Sequence, residues 1–207
     1  MAEHTRFGMI ILILLIVFIL IGAVSASIIL TTTGDISDEE LNRITTEAVD
    51  EICSYLQIKN VLGKYQLTEN QQKITQIAIQ IKPLVSQNIN ISHITIQLTN
   101  GEQYNILFYN GLSETIQNYS LFKHPLWSSM EPGTYSILSI LDDDSSIIRS
   151  NVLNKNTDVA FILLILPEDI ALKNGDQLTV TILPSPGVGR TITLEAPLLI
   201  KTIVSLY

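Results

Sequence analysis

The sequence predicts an α+β chain: a long N-terminal hydrophobic helix followed by an all-β sandwich or barrel domain. Three observations predict it. Phe7 to Leu30 holds no charged residue and is almost entirely Ile, Leu, Val, Phe and small residues. From Leu56 onward the apolar period becomes two, with β-branched enrichment. Turn signals then punctuate the chain at short intervals, the spacing expected of many short strands.

At about 1.5 Å per residue the apolar run makes a helix roughly 36 Å long, enough to cross a bilayer core of about 30 Å. It is longer than the ~7–15 residue apolar core of a secretory signal, so a helix retained in the product is expected, although Ala23 to Ser27 could mimic a cleavage site. Because the run is apolar all round, it suits complete burial, either in lipid or among like helices. Gly22, Ala23, Ser25, Ala26 and Ser27 permit close helix approach.

Gly34 breaks the run, and Ser37-Asp38-Glu39-Glu40 forms a capping box. Leu41, Ile44, Ala48, Ile52 and Tyr55 then recur at helical spacing, predicting an amphipathic helix over 38–55. The domain division expected is a helical stem, 1–55, and an outer β-domain, 56–207. Strands are predicted at Leu56 to Val61 (ending near Gly63-Lys64), Lys73 to Ile81 (closed by Pro83), His93 to Leu98 and Gln103 to Tyr109, the last two joined by the Asn100-Gly101 turn. Asn110-Gly111 opens an irregular region reaching Gly133, which holds Trp127. Strands resume at Tyr135 to Leu141, Asp158 to Leu166, Gln177 to Leu183, Arg190 to Leu194 and Lys201 to Leu206.

The 207 residues carry a formal charge of -8 with only 12 Lys plus Arg, which argues against a nucleic-acid partner. One cysteine, Cys53, excludes a disulfide within the chain and leaves a buried thiol or an intermolecular bond. His4, His93 and His124 are scattered without ligand spacing, and no HExxH, CxxC, GxSxG or phosphate loop occurs. Gly187-Val188-Gly189 follows prolines and reads as a turn. Neither catalysis nor a small-molecule substrate is expected. No cofactor is expected either, apart from a hard cation such as Ca²⁺ at Asp142, Asp143 and Asp144; the alternative there is a solvated acidic turn. Asn90-Ile91-Ser92 and Asn118-Tyr119-Ser120 are N-glycosylation sequons, Asn118 being the better placed in the long loop.

Taken in order, these segments resemble the archaeal flagellins (archaellins). The residues that carry the likeness are Gly8-Met9-Ile10-Ile11 through Ser25-Ala26, the polar Thr45-Thr46-Glu47-Ala48-Val49, and the Ile74 to Leu98 region with Lys82-Pro83. The tail from Gly187 to Leu194, Pro197 and Ile203 to Leu206 completes it. The similarity covers both ends well and residues 110–157 poorly. Family precursors carry a basic leader ending in Lys/Arg-Gly; this chain has only Arg6-Phe7-Gly8, so the leader is expected to be already removed, with cleavage near Gly8 as the alternative.

The resemblance implies a structural subunit that resides in the membrane through its apolar helix and then polymerises into an extracellular motility filament, the archaellum. Its partners would be copies of itself or sister archaellins. Ile10, Ile11, Leu14, Leu15, Val17, Phe18, Leu20 and Ile21 would form the filament core, and a separate ATP-driven basal motor would rotate it. Two other readings remain open at this point: an adhesive pilin-like filament of the same construction, and a single-pass anchored β-sandwich that binds an envelope partner, such as a stator of the motility machine.

Overall fold

The computed structural model describes residues 15–19, 56–68, 71–185, 187–198 and 201–207. The chain divides into two units, Met1–Glu47 and Ala48–Tyr207. In the first, residues 15–19 are helical. The rest of the predicted apolar helix, including Ile10, Ile11, Leu14, Leu20 and Ile21, lies outside the described residues, as do the predicted amphipathic helix 38–55 and Cys53.

The second unit is built from eleven strands among the described residues. They are β1 (Leu56–Thr68), β2 (Gln71–Pro83), β3 (Ile89–Asn90), β4 (Thr95–Thr99), β5 (Tyr104–Thr115), β6 (Thr134–Leu141), β7 (Val152–Leu153), β8 (Val159–Ile165), β9 (Gln177–Leu183), β10 (Arg190–Glu195) and β11 (Ile203–Ser205). Nine of them form one sheet in the order β10-β9-β4-β5-β6-β8-β2-β1-β11, and β3 pairs with β7 separately. Both ends of the large sheet send side chains into one core: Ile192, Val180 and Ile96 from one half meet Ile79, Ile162 and Val61 from the other. The sheet is therefore curled over itself as a β-sandwich or half-barrel, as the period-two pattern predicts.

β5 is the corner strand. Its first part pairs antiparallel with β4, Leu107 opposite Ile96, and its second part runs parallel to β6. Within the pairing with β6 the register shifts between Tyr109 and Ser113, at a bulge where Gly111 takes φ +82°. Asn110-Gly111 therefore bends a strand that continues to Thr115, where the sequence suggests the start of a loop. The bulge bends the strand while its pairing with β6 continues on both sides. A parallel pair needs a crossover connection, which explains the length of the irregular stretch after β5.

That crossover covers the outer face of the sheet. Short 3-10 turns at Leu121–Lys123 and Pro125–Ser129 set Phe122, Leu126, Trp127 and Met130 onto Ala78, Leu138, Phe161 and Leu163, a second core separate from the first. Trp127 stacks on Phe122 at 5.6 Å and donates its indole N–H to the Leu121 carbonyl at 2.8 Å. β8 is thus buried on both faces, which is why it reads Val-Ala-Phe-Ile-Leu-Leu-Ile without polar alternation.

The Gly63-Lys64 pair does not end β1. Gly63 sits mid-strand, and a Cβ there would lie 2.8 Å from Leu206 Cδ1 and 2.9 Å from Ile74 Cγ2. Here glycine serves close packing beneath the C-terminal strand β11, which pairs with Leu62, Gly63 and Lys64.

Candidate functional site

The acidic loop follows β6. Asp142 accepts from the Ser146 and Ile147 backbone N–H groups, both at 3.0 Å, and so caps the short helix Ser146–Ser150 from outside its first turn. Burial pushes the Asp142 carboxyl above its ordinary value, against those two hydrogen bonds. Asp144 accepts from Asn154 Nδ2 at 2.9 Å and pairs with Lys155 Nζ at 3.0 Å. The Asn154 hydrogen bond, then the Lys155 contact, hold its carboxyl well below the usual carboxylate range. Asp143 is exposed.

Residues the sequence reading did not single out complete this cluster. Asp158 is fully buried, and its Oδ2 accepts from the Asn154 and Lys155 backbone N–H groups at 3.0 and 2.9 Å. Its Oδ1 has no hydrogen-bond partner among the described residues. The signal was the polar run Asn154-Lys155-Asn156-Thr157-Asp158 directly before the apolar β8. Among the described residues no three His, Cys, Asp or Glu side chains converge closely enough to hold a metal ion.

The sequons stand in different settings. Asn118 is exposed on a turn with φ +66°. Asn90 is half-buried in β3, caps the 3-10 turn Ile91–His93, and accepts from Ser92 N–H at 2.9 Å. His93 is exposed. His124 is buried: Nδ1 accepts from Leu126 N–H at 3.2 Å, which leaves Nε2 to donate to the Thr115 carbonyl at 3.2 Å. Its ring holds the crossover against β5.

Of the predicted filament-core residues, Leu15, Val17 and Phe18 are described. With Ile16 and Ile19 they are five consecutive apolar side chains, each between 45 and 72% exposed. Five successive helical residues turn through more than a full circle. This piece of helix therefore buries no face.

The family model for archaeal-type flagellins matches residues 7–194 of this chain. Flagellin B3 of Methanocaldococcus jannaschii is 24% identical over 192 residues, covering 90% of this chain and 87% of the relative. Flagellin B5 of Pyrococcus abyssi is 25% identical over 206 residues, covering 90% of each. Among solved structures, the crystal structure of archaeal flagellin FlaB1 from M. jannaschii superposes with a TM-score of 0.63 at 22% identity, covering 73% of this chain and 95% of that one. The archaeal flagellum of Methanospirillum hungatei gives a TM-score of 0.55 at 12% identity, covering 97% and 99%. These two likenesses are of fold. With the family match running from the apolar segment to the end of β10, the chain belongs to the archaeal-type flagellins.

Proposed function

We infer that this chain is a structural subunit of the archaellum, built into an extracellular filament from copies of itself or of sister flagellins. Family membership supports the class, and one observation carries the mode of assembly: Leu15 to Ile19 expose apolar side chains all round. Each such side chain gains roughly 1.5–3 kcal/mol on full burial. Like helices packed together supply that burial once the segment leaves the membrane, and the β-domain then lies on the outside. Leu14→Asp or Leu15→Asp would leave an unpaired charge among apolar helices and is expected to abolish assembly. Electron microscopy of the secreted protein tests this; normal filaments from either variant would remove the helix from the core. Loss of swimming in a deletion strain tests the motility role, and normal swimming would favour an adhesive filament.

Catalysis is not part of this reading. His124 is committed to a cap and a carbonyl. The acidic loop is a candidate cation site only in competition with Lys155, which already occupies Asp144. The unpartnered Oδ1 of buried Asp158 favours a cation; the hydrogen bonds filling Asp142 favour a self-contained cap. Asn118 is the proposed glycan acceptor because it is exposed, whereas the Asn90 side chain is engaged.

A further inference from the structure

The outer face of the sheet carries two apolar features that the function above does not use. The first is a stripe on β5. Tyr104, Ile106 and Phe108 alternate with the inward Leu107 and stand 58, 42 and 61% exposed. Period-two alternation puts all three on one face. Towards the β10 edge the same face is hydroxyl-rich, Thr181 and Thr191 sharing a hydrogen bond across β9 and β10 at 2.9 Å. Towards β6 it is flanked by the Glu131–Thr134 turn, whose Gly133 carbonyl accepts from Phe108 N–H. Exposed carboxylates flank the stripe: Glu131 on that turn, and Glu102 on the β4–β5 turn, where it shares a pocket with Lys73 and Lys173.

The second feature is a groove of about 200 Å³ at the other side of the crossover. Leu62 of β1, Ile203 of β11 and Leu121 and Phe122 of the crossover line it. Its charges are basic: Lys64, whose Nζ donates to the Phe122 carbonyl at 3.4 Å, and the exposed Lys123. Register places the stripe and the groove on the same face of the sheet. Phe108 pairs with Thr134, Ser136 with Leu163, Ala78 with Leu163, and Leu62 with Ala78.

We propose that the stripe Tyr104-Ile106-Phe108 of one copy docks in the Leu62/Leu121/Phe122/Ile203 groove of the next copy along the filament. The proposal rests on the filament reading above. Three observations select a second copy as occupant. The two features match in chemistry, aromatic and aliphatic knobs against an apolar hollow. They match in charge at the Glu131 end, an exposed carboxylate against Lys64 and Lys123 of the groove, in a chain whose net charge of -8 otherwise makes copies repel. They also cannot meet within one copy, since β5 and β1 lie four strands apart, on the order of 19 Å at about 4.8 Å per strand. Because the sheet curls about its core from the β5 corner, stripe and groove point in different directions. The copy that receives the stripe is then not the copy that fills the groove. Such a heterologous contact continues indefinitely and does not close into a pair.

The test uses assembled filaments. A photo-reactive phenylalanine analogue replaces Phe108, and these copies co-assemble with isotope-labelled unmodified ones. Irradiation followed by mass spectrometry is expected to link position 108 to peptides containing Leu62, Leu121 to Lys123 or Ile203 of a labelled copy. Filaments built wholly from modified copies should give trimers and larger products. Lys123→Glu should lower the yield several-fold, and Glu131→Lys added to it should restore the yield. Links confined to other positions, to the same copy, to a different protein, or to dimers would overturn the proposal. Absence of filaments from the unmodified protein would overturn the filament reading itself, and this contact with it.

Discussion

Lys155 Nζ lies 3.0 Å from the Asp144 carboxylate. The pair closes the acidic loop with the protein's own charge. Removing it should open the loop to a metal ion: Lys155→Met is expected to gain more melting temperature from millimolar Ca²⁺ than the native protein does. Equal shifts in the two proteins would mean that the loop needs no cation with or without the lysine.

The same pair sets a pH window. The Asp144 carboxyl is held below its ordinary 3.8, so its contribution is complete above that value and fades as pH falls beneath it. Lys155, raised from 10.5 chiefly by Asp144, contributes fully below that value and loses its share above. Asp142, pushed up by burial, works in the opposite sense at acid pH and partly offsets the loss. The side-chain carboxyl carbon resonance of Asp144 should therefore stay near its ionised position from neutral pH down to 3.8 and titrate only below it. Movement well above that value would contradict the pairing.

Gly63→Ala should destabilise the domain, because its Cβ would press on Leu206 and Ile74 at under 3 Å. Overpacking of this kind costs roughly 1–3 kcal/mol, or about 3–10 °C in a domain of this size. Thermal melting checks it, and an unchanged Tm would mean that β11 can slide away from β1 without loss.

Tyr135 ties the core to the β3–β4 connection. Its buried hydroxyl reaches the Ile91 and Ile94 carbonyls at 2.8 and 2.7 Å. Burial, then the neighbouring Tyr109, pushes its hydroxyl pKa up, so it stays a donor throughout the physiological range. Tyr135→Phe leaves both carbonyls without this donor and is expected to cost about 1–3 kcal/mol in chemical denaturation. A neutral change would show that those carbonyls find other partners.

Intact mass of secreted variants separates the sequons. Asn118→Gln should remove a glycan mass. Asn90→Gln should change the mass only by the added methylene but lower the melting temperature, since the Ser92 N–H loses its cap, worth about 0.5–2 kcal/mol. A mass loss at Asn90 alone would reverse the assignment.

Much of the fold was legible in the sequence because local pattern and tertiary role agree. Ile77, Ile79 and Ile81 alternate inward as their spacing says, and Asn100-Gly101 makes the turn that its residues favour. Where the two disagree, local reading fails for a physical reason. Gly63 looks like a turn residue, yet it is glycine because Leu206, 143 positions later, lies against it. Asn110-Gly111 looks like a loop, but it bends a strand whose partner, β6, arrives only after the crossover. Asp142 and Asp144 were visible as a triplet with Asp143. Asp142 finds its partners locally, in the Ser146 and Ile147 N–H groups, but those of Asp144, Asn154 and Lys155, belong to the approach to β8, which no local spacing reveals. Likewise the alternation of Tyr104, Ile106 and Phe108 is plain in sequence, but which face is outward depends on Leu107 meeting Ile96.

Residues 15–19 expose apolar side chains all round, and a filament core is what would bury them. Electron cryo-microscopy of native filaments, at a resolution that shows side chains, tests it most directly. The expected result is a central bundle in which Leu15, Val17 and Phe18 are buried by the same segment of neighbouring copies, with the β-domains outside. Purified native protein that stays monomeric in detergent, or filaments in which this segment faces solvent, would contradict it.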